Sequence, residues 1–155
     1  MQHQQQQQQQ QHPITSPAVG HIYDCGNTTA EARERNCTFE LFTVSWVPPA
    51  CADEDLDAEF RAIGYRYFAD KENTQELTYE ELANRVWQTA WTTNEQHLMH
   101  CGYVWRKMHR AVEAGKRHSD RELEWEHTVH CSGLIVKPGD LGEIISIEPD
   151  FGRCY

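Results

Sequence analysis

A five-residue word that occurs twice constrains this chain more than any other feature. His97-Leu98-Met99-His100-Cys101 and His127-Thr128-Val129-His130-Cys131 both read His-x-x-His-Cys, and the copies stand 30 residues apart. On an α-helix, positions i, i+3 and i+4 share a face, so each copy would turn two imidazoles and a sulfur the same way. Imidazole nitrogen and thiolate sulfur are common ligands of copper, zinc and iron. A lone His-x-x-His is more often a pair of polar surface residues than a metal site. Two copies, each ending in Cys, make a shared site the better reading. The candidate metal residues are then His97, His100, Cys101, His127, His130 and Cys131. A second arrangement stays open, in which Cys101 and Cys131 are structural and the histidines sit on a helix rim.

The cysteine pattern bears on compartment. Cys25, Cys37, Cys51, Cys101, Cys131 and Cys154 make six in 155 residues. An even count in a small chain suits a disulfide framework in an oxidising compartment, and sequence does not choose the pairing. Sequons at Asn27 and Asn36 are candidate glycosylation sites and point to the same route. No apolar run reaches the ~20 residues of a spanning helix, and the N-terminus lacks the basic-then-apolar pattern of a signal peptide. Two readings remain: an intracellular chain whose cysteines are thiols or ligands, or a secretory chain whose true start lies upstream. The cysteines and sequons favour the second. With 14 Lys and Arg against 24 Asp and Glu, the net charge of -10 argues against a general nucleic-acid binder.

The pattern of residues predicts one small domain, mainly α with a few short strands (α+β) and stapled by disulfides. Residues 1–20 are expected to be a disordered polyglutamine tail and linker, flanked by His3 and His12, to which no role is assigned. Residues 21–155 form the domain. Thr28 or Thr29 caps a short helix over Ala30 to Arg35. Thr38 to Trp46, rich in aromatic and β-branched residues, reads as one strand. Acids followed by Leu56, Phe60 and Ile63 at helical spacing predict a helix from Asp53 to Ala62. Tyr65 to Phe68 is extended, and Thr78 with Glu81 is a capping box opening a helix through Leu82, Val86 and Trp87. Trp87 and Trp91 read as core aromatics, with a pocket wall as the alternative.

The clearest helix is Thr93 to Ala114, ended by Gly115. Its expected buried stripe is Leu98, Cys101, Trp105, Met108 and Val112, with His97 and His100 on the edge. Arg106, Lys107 and Arg110 fall on the outer face, and His109 on the surface. Asp120 is a cap for a second, weaker helix that carries the second word and stops before Gly133. Lys137 to Asp140 is a turn, Glu143 to Glu148 a strand, and Cys154 a staple for the C-terminal tail. Glu95 and Glu126, each just before a word, are candidates to orient an imidazole, although a surface acid is the plainer reading.

From His97 to Ala111, and again from Glu126 to Cys131, the chain resembles the UstYa-like proteins of filamentous fungi, the ustiloxin-type oxidases and cyclases of secondary metabolism. The resemblance extends over roughly Asp24 to Tyr155. It implies a lumenal domain on a single membrane helix, which this chain lacks. It also implies an oxidase or cyclase that tailors a peptide or other small molecule, with the six motif residues at its site. Copper is the first choice of metal, because imidazoles suit it and its redox change suits oxidation by oxygen; zinc is the alternative. Assembly with itself or with related chains stays open. The rival from another class is a non-catalytic domain, stapled by disulfide or holding structural zinc, that serves a membrane or secretory protein.

Overall fold

The computed structural model describes residues 20–155. The polyglutamine run, His3, His12 and most of the expected linker lie outside them. In chain order the elements are β1 (Tyr23–Asp24), α1 (Thr29–Glu34), β2 (Thr38–Glu40), β3 (Ser45–Val47), α2 (Glu54–Ile63), β4 (Tyr67–Phe68), β5 (Glu76–Leu77), α3 (Tyr79–Ala83), β6 (Ala90–Thr93), α4 (Asn94–Ala114), α5 (Asp120–Leu123), α6 (Trp125–Val136), β7 (Ile144–Ile147), β8 (Asp150–Phe151) and β9 (Arg153–Cys154). This is the small α+β fold that the residue pattern predicts. The strands form three small sheets, in the orders β1-β9, β2-β3-β8 and β5-β4-β6-β7. Among the described residues only the β3–β8 pairing is parallel.

Helix ends follow local chemistry. Thr28 and Thr78 each close a capping box, with Glu31 and Glu81 respectively, so the first-turn amides are satisfied. Asp53 accepts from the Leu56 amide at the start of α2. Thr93 does the same for Gln96 in α4, and Gly115 ends that helix in the left-handed conformation at φ 61. The cap of α5 is Ser119 with Glu122, one residue before the expected Asp120. Helix α6 is regular and runs past Gly133 to Val136.

The apolar stretch from Thr38 to Trp46 is a hairpin, not one strand. Thr38, Phe39 and Glu40 pair with Val47, Trp46 and Ser45, and Val44 turns the chain at φ 55. Every residue from Phe39 to Pro48 is buried, so no alternation was available to show the turn. Buried carboxylates hold it. Asp57 accepts from the Leu41 amide at 2.6 Å and the Phe42 amide at 3.4 Å. Glu40 accepts from the Asp53 amide at 2.7 Å and from Lys107 Nζ at 2.7 Å. The Glu40 and Lys107 side chains are 1% and 3% exposed. The pair pins the hairpin to the middle of α4. Around it Phe39, Phe42, Phe60, Leu82, Tyr103 and Val104 form the core.

That pair also corrects the expected stripe on α4. Lys107 faces the core, while Trp105 and Val112 are 60% and 66% exposed. Asn94, Gln96, His100, Cys101, Tyr103, Val104 and Ala111 complete the buried face. Hydropathy spacing misplaces it because four polar residues on α4, Asn94, Gln96, His100 and Lys107, are buried with hydrogen-bond partners. Arg106 and Arg110 do lie outside, paired with Glu59 and Asp53, and His109 is exposed. Trp87 is not core: α3 stops at Ala83, and the indole is 61% exposed with φ 61. Trp91 is half-buried in β6.

Three disulfides join Cys25 to Cys37, Cys51 to Cys154 and Cys101 to Cys131. Such bonds are the mark of an oxidising, secretory-type compartment. Cys154 ties the C-terminal strand to the body, as its position suggests. Among the described residues no helix is long and apolar enough to cross a membrane. Lys107→Met strands the Glu40 carboxylate in the core and is expected to lower the unfolding free energy by about 3–5 kcal/mol. The double replacement Glu40→Leu with Lys107→Met should recover much of it. Urea unfolding of both checks this; a K107M protein as stable as the parent would contradict it.

Candidate metal centre

The first word lies in the opening turns of α4 and the second in the first half of α6. The Cys101–Cys131 disulfide joins the two helices with Cα atoms 5.2 Å apart. It brings the words face to face, and the histidines pair across the gap. His100 Nε2 lies 3.1 Å from His127 Nε2, and His97 Nε2 lies 3.2 Å from His130 Nε2. The ring centroids of His97 and His100, on the same helix, are 5.9 Å apart. All four rings border an open hollow of about 210 Å³, closed on its other sides by Val44 of the hairpin turn and Ile147 of β7.

Two backbone carbonyls set the inner pair. His100 Nδ1 is 2.5 Å from the Phe42 oxygen, and His127 Nδ1 is 2.9 Å from the Arg121 oxygen. A carbonyl only accepts, so each Nδ1 carries the hydrogen and each neutral ring turns a bare Nε2 lone pair inward. Two lone pairs at 3.1 Å repel unless positive charge lies near both. A proton is a poor candidate, because burial pushes the His100 pKa down to about 3, the Phe42 carbonyl opposing it only in part. His127 and His97 are also lowered, first by burial. A metal ion fits: bonds of about 2.0–2.1 Å at an angle of about 100° span such nitrogen separations.

The sulfurs are close by. His100, Cys101 and Cys131 place ligand-type atoms within 4.8 Å of one another, a group that can hold a metal ion. Cys131 Sγ is 3.6 Å from His127 Nε2. In the disulfide neither sulfur is a thiolate, and the thiolate is the ligand form of Cys. The oxidised protein therefore offers imidazoles first. Cys101 and Cys131 bring the helices together, and the four histidines present the donors.

Glu95 and Glu126 are exposed, and among the described residues neither is hydrogen-bonded to a motif histidine. The Phe42 and Arg121 carbonyls do the orienting instead. Backbone groups leave no signature in residue identity, so pattern reading passes over them. It also passed over Gln96, one turn before His100 and bordering the same hollow. The sequon residues Asn27 and Asn36 are both exposed.

The class of protein this chain resembles is the secondary-metabolite cluster protein of fungi. Phomopsin biosynthesis cluster proteins B and B' of Diaporthe leptostromiformis are each 30% identical to it over 123 residues, 72% of this chain and 36% of the relative. The chain thus spans about a third of the length of the curated relatives it matches. No protein-family model and no solved structure matches it.

Two outcomes are expected. With Cys101 and Cys131 both changed to Ala, α6 keeps no disulfide and no other buried residue; the loss should cost about 3–4 kcal/mol, with faster amide exchange through Trp125–Val136. Unchanged exchange would contradict that tether. The second concerns pH. An unfolded histidine protonates near 6.5, whereas folded His100 does so at about 3, so the unfolded chain binds more protons between those values. Stability of the metal-free protein is whole above the upper value and falls as pH drops through the window, by up to about 1.4 kcal/mol per pH unit from His100. Urea midpoints should show that slope, and His100→Phe should reduce it.

Proposed function

We propose that this chain is a UstYa-like domain whose four histidines hold copper, and that it oxidises or cyclises a peptide or other secondary metabolite. The observation that carries the reading is the inner pair, His100 and His127. Both Nδ1 hydrogens are taken by carbonyls, and both Nε2 lone pairs converge at 3.1 Å. Imidazole donors and a need for redox change favour copper over zinc. Bound there, copper supplies the electron exchange that oxidation by oxygen requires. The chain's own part is to hold His97, His100 and His127 neutral by burial, to close one side of the site with the disulfide and to leave a hollow open on the other. The similarity to phomopsin cluster proteins supports a tailoring role in secondary metabolism. The disulfides and the exposed Asn27 and Asn36 support a glycosylated protein of the secretory route, associated with a membrane through an N-terminal helix outside this sequence, or acting beside related chains.

A second reading has one observation in its favour. The Cys101–Cys131 bond clamps α4 to α6 without any metal, as a non-catalytic or zinc-holding accessory domain would require.

Copper analysis of the fully oxidised protein separates the two. Roughly one to two copper ions per chain are expected, and His97→Ala with His130→Ala should weaken copper binding about a hundredfold or more, with the disulfides and helix content intact. A protein that takes up no copper, or retains only zinc, would favour the clamp.

A further inference from the structure

Away from the histidines, one aromatic is held in an unusual place. Trp87, between α3 and β6, has φ 61, a left-handed conformation that is costly for a bulky residue. Its amide donates to the Pro149 carbonyl at 2.9 Å, which ties this turn to the residue before β8. The indole is 61% exposed and meets Phe151 edge to face, with ring centroids 6.3 Å apart. The fold thus spends backbone strain to keep a tryptophan in water. Strain of this kind and exposed aromatic surface are both features of ligand-contacting sites.

Trp87 and Phe151 border a hollow of about 680 Å³, separate from the histidine site, and Asn27, Asp120 and Glu124 border it too. An aromatic face suits the C–H face of a sugar ring, and carboxylates accept from its hydroxyls. Asn27 opens the Asn-Thr-Thr sequon and is exposed. Its backbone N–H goes to Glu31 at 2.6 Å, in the cap of α1. A sugar linked to its side chain would therefore start at the rim of an aromatic and acidic hollow, and needs no other site to rest on.

We propose that this hollow is a carbohydrate subsite for the chain's own glycan: the N-acetylglucosamine core linked to Asn27 lies in it, with a sugar face on the Trp87 indole and hydroxyls donating to Asp120 and Glu124. The proposal rests on reading the chain as a glycosylated protein of the secretory route. In the linking step a bond forms between Asn27 Nδ2 and the anomeric carbon of the first sugar. The bond from that carbon to a polyprenyl diphosphate donor breaks, the diphosphate leaves with the electron pair, and Nδ2 gives up one proton. Nothing is oxidised or reduced.

The test uses the full chain secreted from a eukaryotic host behind a cleaved signal, with carbon-13 in its N-acetylglucosamine. Peptide mass analysis reads occupancy of Asn27 and Asn36. NMR of the intact glycoprotein should show Overhauser contacts between core sugar protons on Asn27 and the Trp87 indole. Those protons should also be shifted upfield of the same protons on Asn36. Trp87→Ala should abolish both effects, and unchanged Asn36 sugar signals in that variant report an intact fold. Asn27→Gln, which carries no sugar there, is titrated with free diacetylchitobiose. A bare Asn27, or a linked glycan without contact to Trp87, overturns the proposal. Saturable binding of the free disaccharide at Trp87, with no contact from the linked glycan, overturns it too and gives the hollow to a carbohydrate from elsewhere. Sugar on Asn27 without contact removes only the role of the hollow, whereas sugar on neither sequon removes the glycoprotein reading itself.

Discussion

The Cys101–Cys131 bond is the constraint on which the rest of the centre depends. Helix α6 is a poor helix to dock by packing: Cys131 is its only buried residue, and Trp125, Val129, Ile135 and Val136 are all exposed. A covalent link substitutes for the apolar contact that is missing. Each cysteine directly follows the second histidine of its word, so the bond that closes the loop also fixes where four imidazoles fall. Sulfur and nitrogen have separate tasks: one sets the distance between helices, the other faces inward.

Ring orientation comes from further away. The Phe42 carbonyl that receives the His100 hydrogen belongs to a turn held by Asp57 and by the buried Glu40–Lys107 pair. The Arg121 carbonyl that receives the His127 hydrogen lies in the short helix capped by Ser119 and Glu122. Both inner rings are thus tied to the body through backbone, which moves less than a side chain would. Burial adds to this by keeping His100 and His127 neutral, the form a metal requires. The outer pair, His97 and His130, is nearer solvent and opens on the hollow.

Much of this was legible in residue order, for definite reasons. Capping residues carry short-range information, so the starts of α1, α2, α3 and α4 were readable within a residue or two. The repeated word was readable because its three polar heads share a helical face whatever lies around them. What was hidden depended on tertiary partners. Lys107 looked like a surface charge because nothing near it in sequence announces Glu40. Trp105 and Val112 looked buried because apolar spacing cannot register a helix face claimed by Gln96, His100 and Lys107. The hairpin at Thr38–Val47 was hidden because burial of the whole run erased the alternation that marks a turn. The choice between ligand and disulfide for Cys101 and Cys131 was open in sequence, since both need the same proximity.

The convergence of both words into one nitrogen-lined site is tested most directly by X-ray absorption at the copper edge, on copper-loaded protein with all three disulfides intact. The expected spectrum has a first shell of nitrogen at about 2.0–2.1 Å with the outer-shell pattern of several imidazole rings and no sulfur. A sulfur shell near 2.3 Å, or a spectrum that a single imidazole explains, would contradict it.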